Sequence, residues 1–189
     1  KSIITQREVH VDTPSFQQGL KAALREDADV ILVGEMRDLE TISLALTAAE
    51  TGMLVFGTLH TNNAQKTVDR IIDVFPSEQQ PQIRTMLSAS VRGVVAQLLF
   101  KKTTGGRVAV NEILVANLAV GSIIREGATK KLFDVIASGQ SEGMQLMDEA
   151  IAKLLIAGTI APFEAYMKAI DKKRFENFLP KDAGIASGG

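Results

Sequence analysis

Two ionisable residues stand at the ends of two apolar runs. In "DVILVGEMRD", residues 29–38, four consecutive apolar residues run into Gly34 and Glu35; in "MLVFGTLHTNN", residues 53–63, a second run ends at His60. A carboxylate can hold and deprotonate a water, and an imidazole can donate or accept a proton near neutral pH. In open parallel sheets ligands bind outside the carboxyl ends of the strands, where Glu35 and His60 would lie. An acid is also an ordinary first polar residue beyond a core strand. The residues alone leave both readings open.

The elements around these runs decide whether the two residues meet. Residues 30–34 and 54–59 are short, apolar and rich in branched residues, which predicts strands buried on both faces. Between them Leu39, Ile42, Leu46 and Ala49 form one helical stripe, with Asp38 as cap and Gly52 as stop. Upstream, residues 2–9 predict a strand, and "TPSFQQGLKAALRED" predicts a helix with Thr13 as N-cap and Pro14 at its first position. Downstream, Asn62 or Asn63 opens a helix with Val68, Ile71 and Ile72 inward. Residues 77–97 read as helix, and two strands follow around a Gly105-Gly106 turn. Beyond about residue 117 only helices are expected, including one marked by Met144, Met147, Ile151, Leu154 and Leu155 and one starting at Pro162. Alternating strands and helices followed by helices predict an α/β domain with a mostly parallel sheet, residues 1–117. A helical subdomain over 118–178 and a flexible tail over 179–189 complete the expectation.

Composition bounds the function. The 189 residues are 46% hydrophobic and 23% charged, with a net charge of −1. That is globular, with no basic footprint for nucleic acid. There are no cysteines, so disulfides and thiolate metal sites are excluded. No apolar run approaches the roughly 20 residues of a bilayer span. The chain opens on Lys1, not Met, and reads as part of something longer.

The run from Asp27 to Asn63 resembles the ATPases that power type IV pili and type II secretion. "REDADVILVGEMRDLETISLALTAAETG" resembles their Walker B region, "TGMLVFGTLHTNNA" their His box, and "TQREV", residues 5–9, the segment ahead of them. The resemblance continues through "GGRVAVNEIL" and "GMQLMDEAIAKLL", and in wording it is nearest to the pilus-retraction branch. It implies a RecA-like P-loop core, truncated at its amino end, with a carboxyl-terminal helical lobe. It also implies ATP and Mg²⁺ as ligands, a homo-hexameric ring, an inner-membrane platform protein as partner, and a cytoplasmic location peripheral to that membrane. Glu35 then stands at the catalytic glutamate and His60 beside it. Gly34, Thr58, Arg7, Arg37 and Arg70 fall where nucleotide would be contacted. No residue is assigned to metal outright; Mg²⁺ contact would pass through Glu35 or water.

Four departures qualify the resemblance. The phosphate-cradling string G-x-x-x-x-G-K-[ST] does not occur, so the chain alone is expected not to hydrolyse ATP. Met53 replaces the first His of the His box and is expected to pack. Asp27-Ala28-Asp29 stands for the usual Asp-Pro-Asp. In "AVGSIIRE", residues 119–126, Gly121-Ser122 replaces an Arg-Asn pair of the retraction branch, which predicts a loosely held joint. The alternatives are a ring-assembly module without hydrolysis and an ATPase of the secretion or pilus-extension branch. Those commonly carry a zinc-binding cysteine tetrad, absent here.

Overall fold

A computed structural model describes residues 2–180. Its first sheet is a parallel pair, β1 (Val30–Val33) and β2 (Leu54–Gly57), in the register Val30 with Leu54 to Val33 with Gly57. The helices α1 (Phe16–Ala23) and α2 (Leu39–Glu50) frame it, α2 being the crossover between the strands. The α1 cap is Ser15, whose hydroxyl accepts from Gln18 N at 3.2 Å, and not Thr13. Thr13 instead donates its hydroxyl to the Ser15 carbonyl at 3.0 Å, which holds the chain in a turn ahead of the helix.

Asp38 caps α2 as expected. Its carboxylate accepts from Thr41 N at 2.9 Å and from Thr41 Oγ1 at 2.8 Å. These bonds, the backbone N–H foremost, hold its pKa below the usual value. The folded pKa is depressed, so the stabilisation is present above the unfolded pKa and is lost as pH falls through the folded one. Asp38→Ala is expected to cost about 1 kcal/mol at pH 7. Paired denaturant titrations should show that gap closing toward acid pH; an unchanged gap would mean the carboxylate charge contributes nothing.

The parallel strands are buried on one face only. Ile31 and Val33 pack with Leu20, Ala45 and Ala48, and Met36, Met53 and Val55 lie against the same cluster. On the other face Val30 and Leu32 are 54% and 76% exposed, beside Leu54 and Phe56 at 42% and 53%. The expectation of strands buried on both faces is therefore corrected: α1 and α2 cover one side, and the other is largely open. Residues 2–9 form no strand. Val9 makes an isolated bridge to Thr13, and Ile3 and Ile4 are exposed. A strand needs a neighbouring ladder for its N–H and C=O groups, and none of the described strands pairs there.

The helix expected over 77–97 is shorter. α4 (Gln80–Ser90) ends and β3 (Gly93–Lys101) begins, pairing antiparallel with β4 (Arg107–Val115) around the glycine turn at φ 90° and 74°. "VVAQLLF" fits either period, and the ladder with β4 decides it: Ala96 and Phe100 face inward at period two. Two compact units emerge. The first holds the part up to His60, Thr67–Arg92 and Ala116–Thr129; the second holds Thr61–Lys66, Gly93–Val115 and the chain from Lys130 onward. These units are drawn differently from a division at residue 117. Most of the tail expected over 179–189 lies outside the described residues.

In the first unit the part of α3 (Ala64–Asp73) from Thr67 onward buries Val68, Ile71 and Ile72, and α5 (Leu118–Glu126) packs on α4. The loose joint expected at Gly121-Ser122 is not found. Asn117 caps α5 through Val120 N at 3.0 Å, Gly127 closes it at φ 71°, and Val120, Gly121 and Ile124 are buried. A Cβ on Gly121 would stand 3.2 Å from the Ser88 carbonyl oxygen, so glycine here permits close helix approach. In the second unit the hairpin carries α6 (Leu132–Ser138), α7 (Met147–Ile156), α8 (Pro162–Lys168) and α9 (Lys173–Glu176). Phe100, Val110, Met147, Ile151, Ile160 and Phe175 form its core.

Candidate functional site

The parallel register brings the two strand ends side by side. Beyond Val33 and Gly57, Met36 N donates to the Thr58 carbonyl at 3.0 Å, and the Thr58 hydroxyl donates to the Gly34 carbonyl. These bonds fasten one loop to the other. Glu35 and His60 meet as the spacing predicts: His60 Nε2 lies 3.0 Å from Glu35 Oε1. Arg37 Nε forms an ion pair with that same oxygen. Both contacts fall on Oε1, which leaves Oε2 the oxygen turned to a water.

The electrostatics favour an ionised base. The hydrogen bond from Arg37 lowers the Glu35 pKa most, partial burial opposes it, and the charges of Arg37 and His60 lower it further. Glu35 is therefore a carboxylate through neutral and mildly acid pH, the form that can accept a proton from water. His60 adopts the left-handed backbone region, φ 51°, which His, Asn and Asp enter more readily than most side chains. Uncommon backbone of this kind concentrates at functional sites.

The other expected residues are placed as follows. Gly34 has open space where a Cβ would stand, so nothing crowds the strand end. Thr58 ties the loops, as above. Arg7 pairs with Glu26 at 2.5 Å and not with Glu35, and Arg70 is exposed on α3. Of the three arginines only Arg37 reaches the acid. Met53 packs with the core beside α2, and His10 sits in an exposed turn. Among the described residues no three His, Asp or Glu gather as a metal site. An open groove of about 650 Å³ runs along β1 past Ile3, Arg7, Phe16 and Asp29; neither Glu35 nor His60 lines it.

Sequence reasoning missed Glu112. This β4 residue is 4% exposed, and its carboxylate accepts from Ala64 N at 2.7 Å and Met147 N at 3.3 Å, the first residues of α3 and α7. The signal was present: in "RVAVNEILV" Glu112 falls in phase with the inward Val110 and Leu114. Asp148 was missed in the same way. It is 9% exposed and accepts from Ile170 N and Asp171 N at 2.9 and 2.8 Å.

Residues 4–104 match the family model described as "Type II/IV secretion system protein". The chain is 52% identical over 178 residues to the type IV pilus retractation ATPase PilT of Pseudomonas aeruginosa, covering 94% of this chain and 51% of that protein. It is 56% identical over 170 residues to a twitching motility protein of Neisseria gonorrhoeae, covering 89% and 46%. Among solved structures, the pilus retraction motor PilT with bound ADP superposes with a TM-score of 0.84 at 47% identity, over 93% of this chain and 49% of that one. The chain spans about half the length of the curated relatives it matches.

Proposed function

This chain belongs to the type II/IV secretion system protein family, and on that premise we propose that it forms the hydrolytic half of an ATP-driven motor for type IV pilus retraction. The observation that carries the reading is the Glu35–His60 contact of 3.0 Å at the carboxyl ends of two parallel strands. Proteins similar to it over most of its length are named as a pilus retractation ATPase and a twitching motility protein.

The chemistry follows from the residues. Phosphoryl transfer to water asks for an aligned nucleophile and for neutralised charge. Glu35 Oε2 holds a water and takes its proton as the new P–O bond forms and the bond to ADP breaks. His60 and Arg37 fix the carboxylate by its other oxygen. Arg37, mostly exposed beside Glu35, would offset phosphate charge there. Mg²⁺ is commonly held by one or two carboxylates together with substrate phosphates, so a single acid, Glu35, directly or through water, fits it. When bound, that ion neutralises phosphate charge. The phosphate cradle is not in these 189 residues, and the remainder of a protein as long as its relatives would supply it. A homo-hexameric ring, an inner-membrane platform protein and a cytoplasmic position peripheral to that membrane complete the proposal. No described helix is long and apolar enough to cross a membrane.

Phosphate release by the full-length protein and by this chain alone tests the reading. The full-length protein is expected to hydrolyse ATP and the chain alone to show none. A full-length protein that assembles but never releases phosphate would favour an assembly module. Turnover by the chain alone would overturn the roles given to these residues.

A further inference from the structure

From the two strand ends we infer that Thr58 is a positioning residue for Glu35: its carbonyl and hydroxyl set the acid against His60. The inference rests on the catalytic reading of Glu35 given above. Thr58 holds the residues on both sides of Glu35. Its carbonyl accepts from Met36 N at 3.0 Å, and its hydroxyl donates to the Gly34 carbonyl. Glu35 stands between these two ties, and His60 follows two residues after Thr58.

The pairing explains where Glu35 points. Parallel strands exchange evenly spaced bonds. Leu54 N bonds to the Asp29 carbonyl, and Val33 stands opposite Gly57. Continued at that spacing, the bond to the Thr58 carbonyl would fall to Glu35 N, yet Met36 N makes it. Glu35 is thus one residue too many for the ladder, and such a bulge re-aims a side chain. Met36 keeps the inward place. It lies against the β1 core, and a Cβ on Gly57 would stand 2.6 Å from Met36 Cε. The Thr58 hydroxyl secures Gly34, where the chain bends out of β1.

A hydroxyl has one proton to give. Here it goes to Gly34, so Thr58 Oγ1 has none to offer phosphate oxygens, which need donors. The resemblance put Thr58 among the nucleotide contacts; the geometry gives it to the loop. Thr58 and Gly34 are both exposed, so losing the bond strands no buried polar atom. Folding is then little affected while the acid loses its bearing.

Variants of the full-length protein separate positioning from the other roles. Thr58→Val keeps the shape and removes the hydroxyl, Thr58→Ser keeps the hydroxyl, and Glu35→Gln removes the base. Turnover per folded molecule and KM for ATP are measured, with folding checked by thermal unfolding. Thr58→Val is expected to lower kcat about tenfold, the scale of a displaced catalytic group, with KM within about threefold. Thr58→Ser should keep most of the parent's kcat. In the Glu35→Gln background Thr58→Val should change kcat by no more than about twofold, because coupled residues are not additive. An unchanged kcat would overturn the inference, as would the same loss in both backgrounds. A raised KM with kcat kept would overturn it too, by making Thr58 a nucleotide contact. Retention of most turnover by Glu35→Gln alone would instead bring down the catalytic reading, and the inference with it. Should Thr58→Val not fold, Thr58→Ala carries the same comparison. Failure of both to fold would assign Thr58 to the fold alone and overturn the inference.

Discussion

Glu35→Gln in the full-length protein will slow ATP turnover at least ~100-fold, the scale of losing a general base. ATP binding is expected to change by no more than a few-fold. Glu35 is partly exposed and lies past the strand, so the amide costs the core nothing. The variant keeps the shape and an oxygen that can still accept from His60. What it loses is the proton acceptor and the charge that draws Arg37. Turnover and nucleotide affinity measured on one preparation decide the matter. Retention of most turnover would leave Glu35 as a strand-end acid, and the whole mechanism would have to move elsewhere.

The second large effect is at Gly121. A loosely held joint at Gly121-Ser122 would accept the Arg-Asn pair of the retraction branch at little cost. The packing of α5 on α4 changes that outcome. A Cβ at residue 121 already meets the Ser88 carbonyl oxygen at 3.2 Å. An arginine would push a long cation between two packed helices, adding overpacking to an unpaired buried charge. Gly121→Arg is expected to destabilise by roughly 3 kcal/mol or more, from those two costs together. Gly121→Ala should fall within about 1 kcal/mol of the parent, because better helix propensity offsets the tight contact. Ser122→Asn, where the hydroxyl donates to Glu126 Oε1 at 3.0 Å near the helix surface, should be nearly silent. Thermal unfolding of the three variants orders them; equal melting temperatures would mean that α4 and α5 separate easily, as a loose joint would.

The sequence showed Glu35 and His60 well because two short apolar runs allow few arrangements. A strand–helix–strand unit puts both run ends on one edge. It showed the start of α2, where Asp38 does the capping, but put the α1 cap on Thr13 when the hydroxyl of Ser15 does that work. It failed where the deciding partner is distant. Residues 93–97 satisfy both helical and extended periods until β4 is there to pair with them. Val30 and Leu32 read as core because an apolar residue looks the same whether or not something covers it. Residues 2–9 have strand-forming side chains but no adjoining ladder. Arg37 was one of three arginines, and nothing local distinguishes an arginine that reaches Glu35 from Arg7, which finds Glu26. Glu112 is the instructive miss. Its inward phase on β4 was visible, but its partners come from α3 and α7, dozens of residues away in either direction.

The open face of β1 and β2 bears on how this chain behaves in a tube. Val30 beside Leu54 and Leu32 beside Phe56 make a small oily tile that offers water no hydrogen bonds. Such a tile recognises by shape and not by polarity, so it distinguishes poorly between a proper cover and another copy of itself. With a net charge of only −1, long-range repulsion does little to keep two copies apart. Raising the concentration of these 189 residues is thus expected to favour pairing through this face, a change that light scattering would read.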